Sequence, residues 1–266
     1  MTLRVLILGT SHCAALRAAA GADRHSDALT WGGMTLRFAA IPNDHAAAMR
    51  LQDGVLTAAG DTACRLLRRI NGQDRFDLAD VDAVAIAGGL MNSFAVARLY
   101  ANARWFPLPS LVADGGVPPP GLPLISEAAA MAVLCGGVAE APLYPVLCCL
   151  QGRPVFVLQD PRVSQDATTG GKKMARFRRI AESPDAADLS YHYDRAATGA
   201  LGALARIILQ PAATRAGGFF TDPRFRRGAT RLGVKADTPQ PPDDMLHGNA
   251  DYGAVVLDDL ARAMAV

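Results

Sequence analysis

The sequence lacks the cysteine patterns that build zinc sites or disulfide scaffolds. Its five cysteines, Cys13, Cys64, Cys135, Cys148 and Cys149, are odd in number and include no C-x-x-C spacing, so reduced and mostly buried thiols are expected. The five histidines, His12, His25, His45, His192 and His247, are scattered, which leaves no ligand cluster for a metal. An excess of one charge is also missing. The 27 Lys and Arg nearly balance 25 Asp and Glu, for a net charge of +2, and this favours neither nucleic acid nor an anionic membrane surface as a partner. The Arg-rich stretches 65–69, 176–179 and 224–227 accordingly read as solvated faces or loops. No apolar run reaches membrane-spanning length, so no membrane insertion is expected. The run at 5–8 behind Arg4 is broken by Gly9-Thr10-Ser11-His12 well short of a signal peptide's apolar core, and a cytoplasmic protein is expected. Residues 10–16 contain no glycine, whereas a dinucleotide site needs several after its first strand to admit a pyrophosphate; no cofactor is expected.

What is present is enough apolar sequence for a large core. With 266 residues, 50% hydrophobic and 20% charged, the chain reads as a single globular domain over 1–266. Short, branched apolar runs predict strands at 3–8, 35–41, 81–87, 154–159 and 206–209. Helical patterns lie between and after them, at 12–20, 56–70, 126–134, 185–205 and 249–264. Alternating strands and helices predict an α/β fold with a parallel sheet of about five strands, covered on both faces. Residues 107–123 are so rich in proline and glycine that a surface loop or lid is expected there.

Three places can carry chemistry. Ser11 follows the first strand at a strand-to-helix turn, where open α/β sheets keep their ligands and where its hydroxyl and backbone N–H are both accessible. Asp244-Met-Leu-His247 puts a carboxylate within reach of one imidazole nitrogen while the other stays free, an arrangement that can orient a base for a nucleophile supplied from elsewhere. After the third strand, Gly88 and Gly89 allow a sharp turn and Asn92 offers an amide donor for an oxyanion, or a helix cap. His12, the neighbour of Ser11, is expected to point away from it, and Cys13 to face the sheet. Asn249 and Tyr252 read as cap and core residues. Trp31, Trp105 and Phe106 are candidates to line an acyl or sugar pocket.

Gly-x-Ser after the first strand, Gly…Asn after the third and a C-terminal Asp-x-x-His, in that order, resemble the SGNH (GDSL-type) serine hydrolases; the ending DDMLHGNADYGAVVL is the most specific part. The resemblance covers the chain end to end and implies a three-layer α/β/α flavodoxin-like fold. It implies Ser11 as nucleophile, His247 as general base and Asp244 as the acid that orients it. The oxyanion would be held by the Ser11 N–H and Asn92, with a turn near Asn43. The family's Gly-Asp-Ser is Gly-Thr-Ser here, and its Gly-x-Asn-Asp is Gly89-Leu-Met-Asn92-Ser93. Its second-motif glycine has no clear counterpart: Asn43 occupies the turn, and Gly33 and Gly54 are the nearby glycines. The implied activity is hydrolysis of an O-acetyl or short-acyl ester, on a small molecule or carbohydrate. An acyltransferase on the same residues, or a catalytically silent binding protein, are the alternatives.

Overall fold

Successive side chains along the first strand, β1 (Leu3–Gly9), belong to different cores. Val5 and Ile7 are buried in one apolar cluster, Leu6 and Leu8 in another, as the two-residue period of a strand buried on both faces requires. The structure, a computed structural model, describes residues 2–21, 29–233 and 238–265. Five further strands complete the main sheet: β2 (Leu29–Trp31), β3 (Met34–Ala40), β4 (Ala83–Ala87), β5 (Val155–Leu158) and β6 (Arg206–Ile208). Their order is β6-β5-β4-β1-β3-β2. All pairs are parallel except β2 with β3, which is antiparallel. The five expected strands thus form the parallel part, and β2 adds an edge hairpin to it.

Helices α1 (Cys13–Ala19) and α9 (Ala250–Met264) cover the face of Val5 and Ile7. The other face carries α3 (Phe94–Asn102), α5 (Glu127–Ala139) and α8 (Ala186–Leu201), whose buried Val96, Leu134 and Tyr193 join the cluster of Leu6 and Leu8. The architecture is therefore a three-layer α/β/α sandwich. Burying a side chain such as Leu6 contributes about 1.5–3 kcal/mol, and truncating it to alanine costs about 2–5 kcal/mol because a cavity remains. The remaining helices are α2 (Asp61–Asn71), α4 (Pro109–Ala113), α6 (Tyr144–Cys149) and α7 (Ala175–Ala181).

Two expectations are corrected. The helix expected over 56–70 begins only at Asp61, because Val55–Ala58 is a strand paired with Met49–Gln52. The loop between these strands is Asp53-Gly54, with φ of +51° and +76°, the two positive values that a two-residue type I′ hairpin turn demands. Within 107–123, the proline-rich segment holds the short helix α4, with Pro109 at its start, where its missing N–H costs nothing.

Candidate active site

Ser11 stands at the carboxyl edge of the sheet, between β1 and β4. There the strand order reverses, since β3 lies on one side of β1 and β4 on the other. The turn into α1 is held by N–H donation from Cys13 to Thr10 O (3.0 Å) and from Ala14 to Ser11 O (3.1 Å). The Ser11 N–H donates to no acceptor among the described residues.

His247 reaches Ser11 from the other end of the chain through the packing of α9 on α1. A Cβ at Gly253 would lie 2.1 Å from Ala15 O, so glycine is what allows the two helices to approach so closely. Asn249 caps α9: its Oδ1 accepts the Tyr252 N–H (3.0 Å), and its Nδ2 donates to Arg224 O (2.8 Å) and Arg227 O (2.9 Å). Asn249 and buried Tyr252 are thus cap and core residues, as expected. Just before the cap, His247 Nε2 lies 2.8 Å from Ser11 Oγ and Nδ1 lies 2.9 Å from Asp244 Oδ1. The second oxygen, Asp244 Oδ2, accepts the His247 backbone N–H at 3.1 Å. Burial raises the Asp244 pKa, but the hydrogen bond and charge of His247 and the N–H groups of His247 and Leu246 outweigh it and hold the carboxyl below its ordinary value. An ionised Asp244 selects the tautomer with a proton on Nδ1, which leaves Nε2 to accept the Ser11 O–H. Asp243 is exposed.

The loop carrying Asp244 is tied down by residues that the sequence reading passed over. Arg226 donates to Asp244 O (2.6 Å) and Pro242 O (3.1 Å) and pairs with Asp166 (3.2 Å); the Ser164 N–H donates to Met245 O (2.8 Å). Arg226 is only 14% exposed, so this arginine of the 224–227 stretch is not part of a solvated face. Its five fixed donors suit it to hold several carbonyls of one loop at once.

His12 is packed against the Ser11–His247 pair. It sits at the N-cap of α1 with helical φ and ψ of −67° and −19°, and its ring stacks on that of His247 at 5.2 Å between centroids. It lines the same cavity as Ser11. Burial, followed by the neighbouring charge of His247, lowers its pKa to about 3. Beside it, 3.8 Å from His12 Nε2, is Oδ2 of Asp160, which follows β5. Burial raises the Asp160 pKa to about 8 against a Gly88 N–H. A neutral imidazole and a neutral carboxyl therefore lie next to Ser11–His247 at pH 7. Cys13 is fully buried, and burial raises its thiol to about 12.

Asn92 and Asn43 both line the cavity over Ser11, which has a volume of about 440 Å³. Asn92 Oδ1 accepts the Phe94 N–H (3.1 Å), a turn ahead of α3 that leaves its amide NH₂ to donate. Asn43 opens the short 3₁₀ turn after β3. Gly33 and Gly54 do not line the cavity; Gly33 precedes β3, at the opposite edge of the sheet. The aromatic candidates lie elsewhere as well. Trp105 is buried and donates to His192 Nε2 (3.2 Å), Trp31 donates to Asp258 (2.9 Å), and Phe106 is exposed. No residue of 107–123 lines the cavity. Among the described residues no group of three or more His, Cys, Asp or Glu is placed to hold a metal ion, and no helix is long and apolar enough to cross a membrane.

No family model matches the chain, and no curated protein does. Among solved structures, a salicylyl-acyltransferase, SsfX3, from a tetracycline biosynthetic pathway is similar over the whole chain at 14% identity, with a TM-score of 0.30. The chain spans 55% of that protein's length.

Proposed function

We propose that the protein is a serine hydrolase of carboxylic esters, of the SGNH type. Ser11 Oγ attacks the ester carbonyl carbon while its proton passes to His247 Nε2, and Asp244 holds the ring and stabilises the imidazolium. The oxyanion that forms accepts hydrogen bonds from the Ser11 N–H and the Asn92 amide, with Asn43 at the same cavity. Donors fixed before the reaction need no reorganisation as charge develops. His247 then protonates the departing alcohol, leaving an acyl group on Ser11. Water, deprotonated by His247, attacks that acyl carbon, and the acid leaves as Ser11 recovers its proton.

The observation that carries this reading is the unbroken chain of contacts from Ser11 Oγ through His247 to Asp244, at 2.8 and 2.9 Å. A serine that merely caps a helix has no need of a histidine whose other nitrogen is held by a carboxylate. Labelling with a fluorophosphonate tests it. One phosphonate adduct is expected, on Ser11, and none in Ser11→Ala; failure to label, or labelling at another residue, contradicts the reading.

A further inference from the structure

Two glycines, Gly136 and Gly137, lie inside α5, where glycine weakens a helix relative to alanine. Gly137 lines the cavity over Ser11, and a Cβ there would meet nothing within 4 Å. Gly137 is exposed, so packing does not require the glycine, and a larger side chain there would occupy open space beside the cavity. Leu134, Gly137 and Val138 of α5 line the same cavity at the i, i+3, i+4 spacing of one helical face, as do Ala141 just beyond the helix and Leu90, Met91 and Phe94. No Lys, Arg or Glu lines it, and its one acid, Asp160, has its pKa raised to about 8 by burial. Such walls can pay for burying methylenes and offer a carboxylate or phosphate no cation.

From this we infer that this face of α5 is an acyl-binding wall, and that the site takes esters whose acyl group is uncharged, apolar and longer than acetyl, with Gly137 setting the room available. The inference rests on the hydrolase reading and narrows its acyl group from O-acetyl or short-acyl to an apolar chain longer than acetyl. A cavity of this size lies within the range of about 300–1,000 Å³ typical of small-molecule sites, and each methylene transferred to such a wall favours binding by up to about fourfold.

The test compares kcat/KM for p-nitrophenyl acetate, butyrate, hexanoate and hemisuccinate in the wild type and Gly137→Leu, a change that favours the helix. In the wild type, hexanoate is expected to exceed acetate by about tenfold or more, and the anionic hemisuccinate to fall at least about tenfold below butyrate. In Gly137→Leu the hexanoate-to-acetate ratio is expected to drop by about tenfold. Acetate equal to or better than hexanoate in the wild type, or an unchanged ratio in the variant, overturns the inference. Saturation-transfer NMR with hexanamide and acetamide keeps it separable from the hydrolase reading. Hexanamide bound by the wild type and lost in Gly137→Leu supports the wall even where no ester is cleaved, and hexanamide bound no better than acetamide overturns it.

Discussion

Ser11 and His247 are 236 positions apart in the chain and 2.8 Å apart in space. The contact depends on how closely α9 lies against α1, and that approach turns on one glycine. A side chain at Gly253 meets the backbone of Ala15 and Leu16, which cannot swing aside as a side-chain tip can. Gly253→Val is therefore expected to destabilise the fold by about 1–3 kcal/mol and to lower kcat/KM more than KM alone accounts for, since it displaces His247. Urea unfolding and steady-state kinetics on the same preparation check this; wild-type stability and activity in the variant would contradict the packing argument.

The adjacent acids Asp243 and Asp244 should separate cleanly. Asp244 contacts His247 through both oxygens, whereas Asp243 is exposed. Asp244→Asn is expected to lower kcat by up to about 10⁴-fold, the scale seen when a triad histidine takes the wrong tautomer, and Asp243→Asn to stay within about twofold on that scale. The reverse ranking would show that the register is wrong.

Asn92→Ala is expected to lower kcat by about 10²-fold, as loss of one oxyanion donor does, with little change in KM. Its side-chain hydrogen bond to the Phe94 N–H predicts in addition a stability loss of about 1 kcal/mol. A stability loss with kcat within about threefold of wild type would assign Asn92 to the turn alone, against that same 10²-fold scale.

The Asp160–His12 pair predicts how stability responds to pH. Asp160 has a folded pKa of about 8, above its value in the unfolded chain, so between about pH 4 and 8 the native state holds a proton that the unfolded state has lost, and stability falls as pH rises. His12, at about 3 in the native state, works in the opposite direction below about pH 6.5, where only the unfolded state is protonated. The two contributions oppose each other at low pH, and from about pH 6.5 to 8 the Asp160 contribution acts alone. Asp160→Asn should flatten the wild-type decline over that upper range. Urea unfolding at pH 6.5 and 8 decides it: an equally steep decline in the variant rules out Asp160 as its source.

How much was legible follows from the range of each interaction. The five parallel strands could be read because each is a short apolar run buried on both faces, a pattern internal to a few residues. Asp244 and His247 could be read as a pair because they are three residues apart, and Ser11 because a strand-to-helix turn is a local feature. Their meeting was implied only by family resemblance, since no local pattern encodes α9 against α1. The stacking of His12 on His247 is not legible locally because it depends on where α1 starts, and the role of Arg226 is not because charge composition does not reveal which carbonyls an arginine will find. Asp160 had a signal that went unused: an acid directly after a core strand lies on the same sheet edge as Ser11. Likewise Asp53-Gly54 is a local hairpin signal, and the strand it leads into, Val55–Ala58, overlaps the start of the helix expected over 56–70.

The most direct measurement is hydrolysis of a p-nitrophenyl ester by the wild type and by Ser11→Ala, with the fold of both checked by far-UV circular dichroism. The Ser11 hydroxyl is the only group in the account that forms a bond to the substrate, so its removal should lower kcat by about 10⁴-fold or more and leave the spectrum unchanged. Equal rates in two equally folded proteins would contradict the account at its centre.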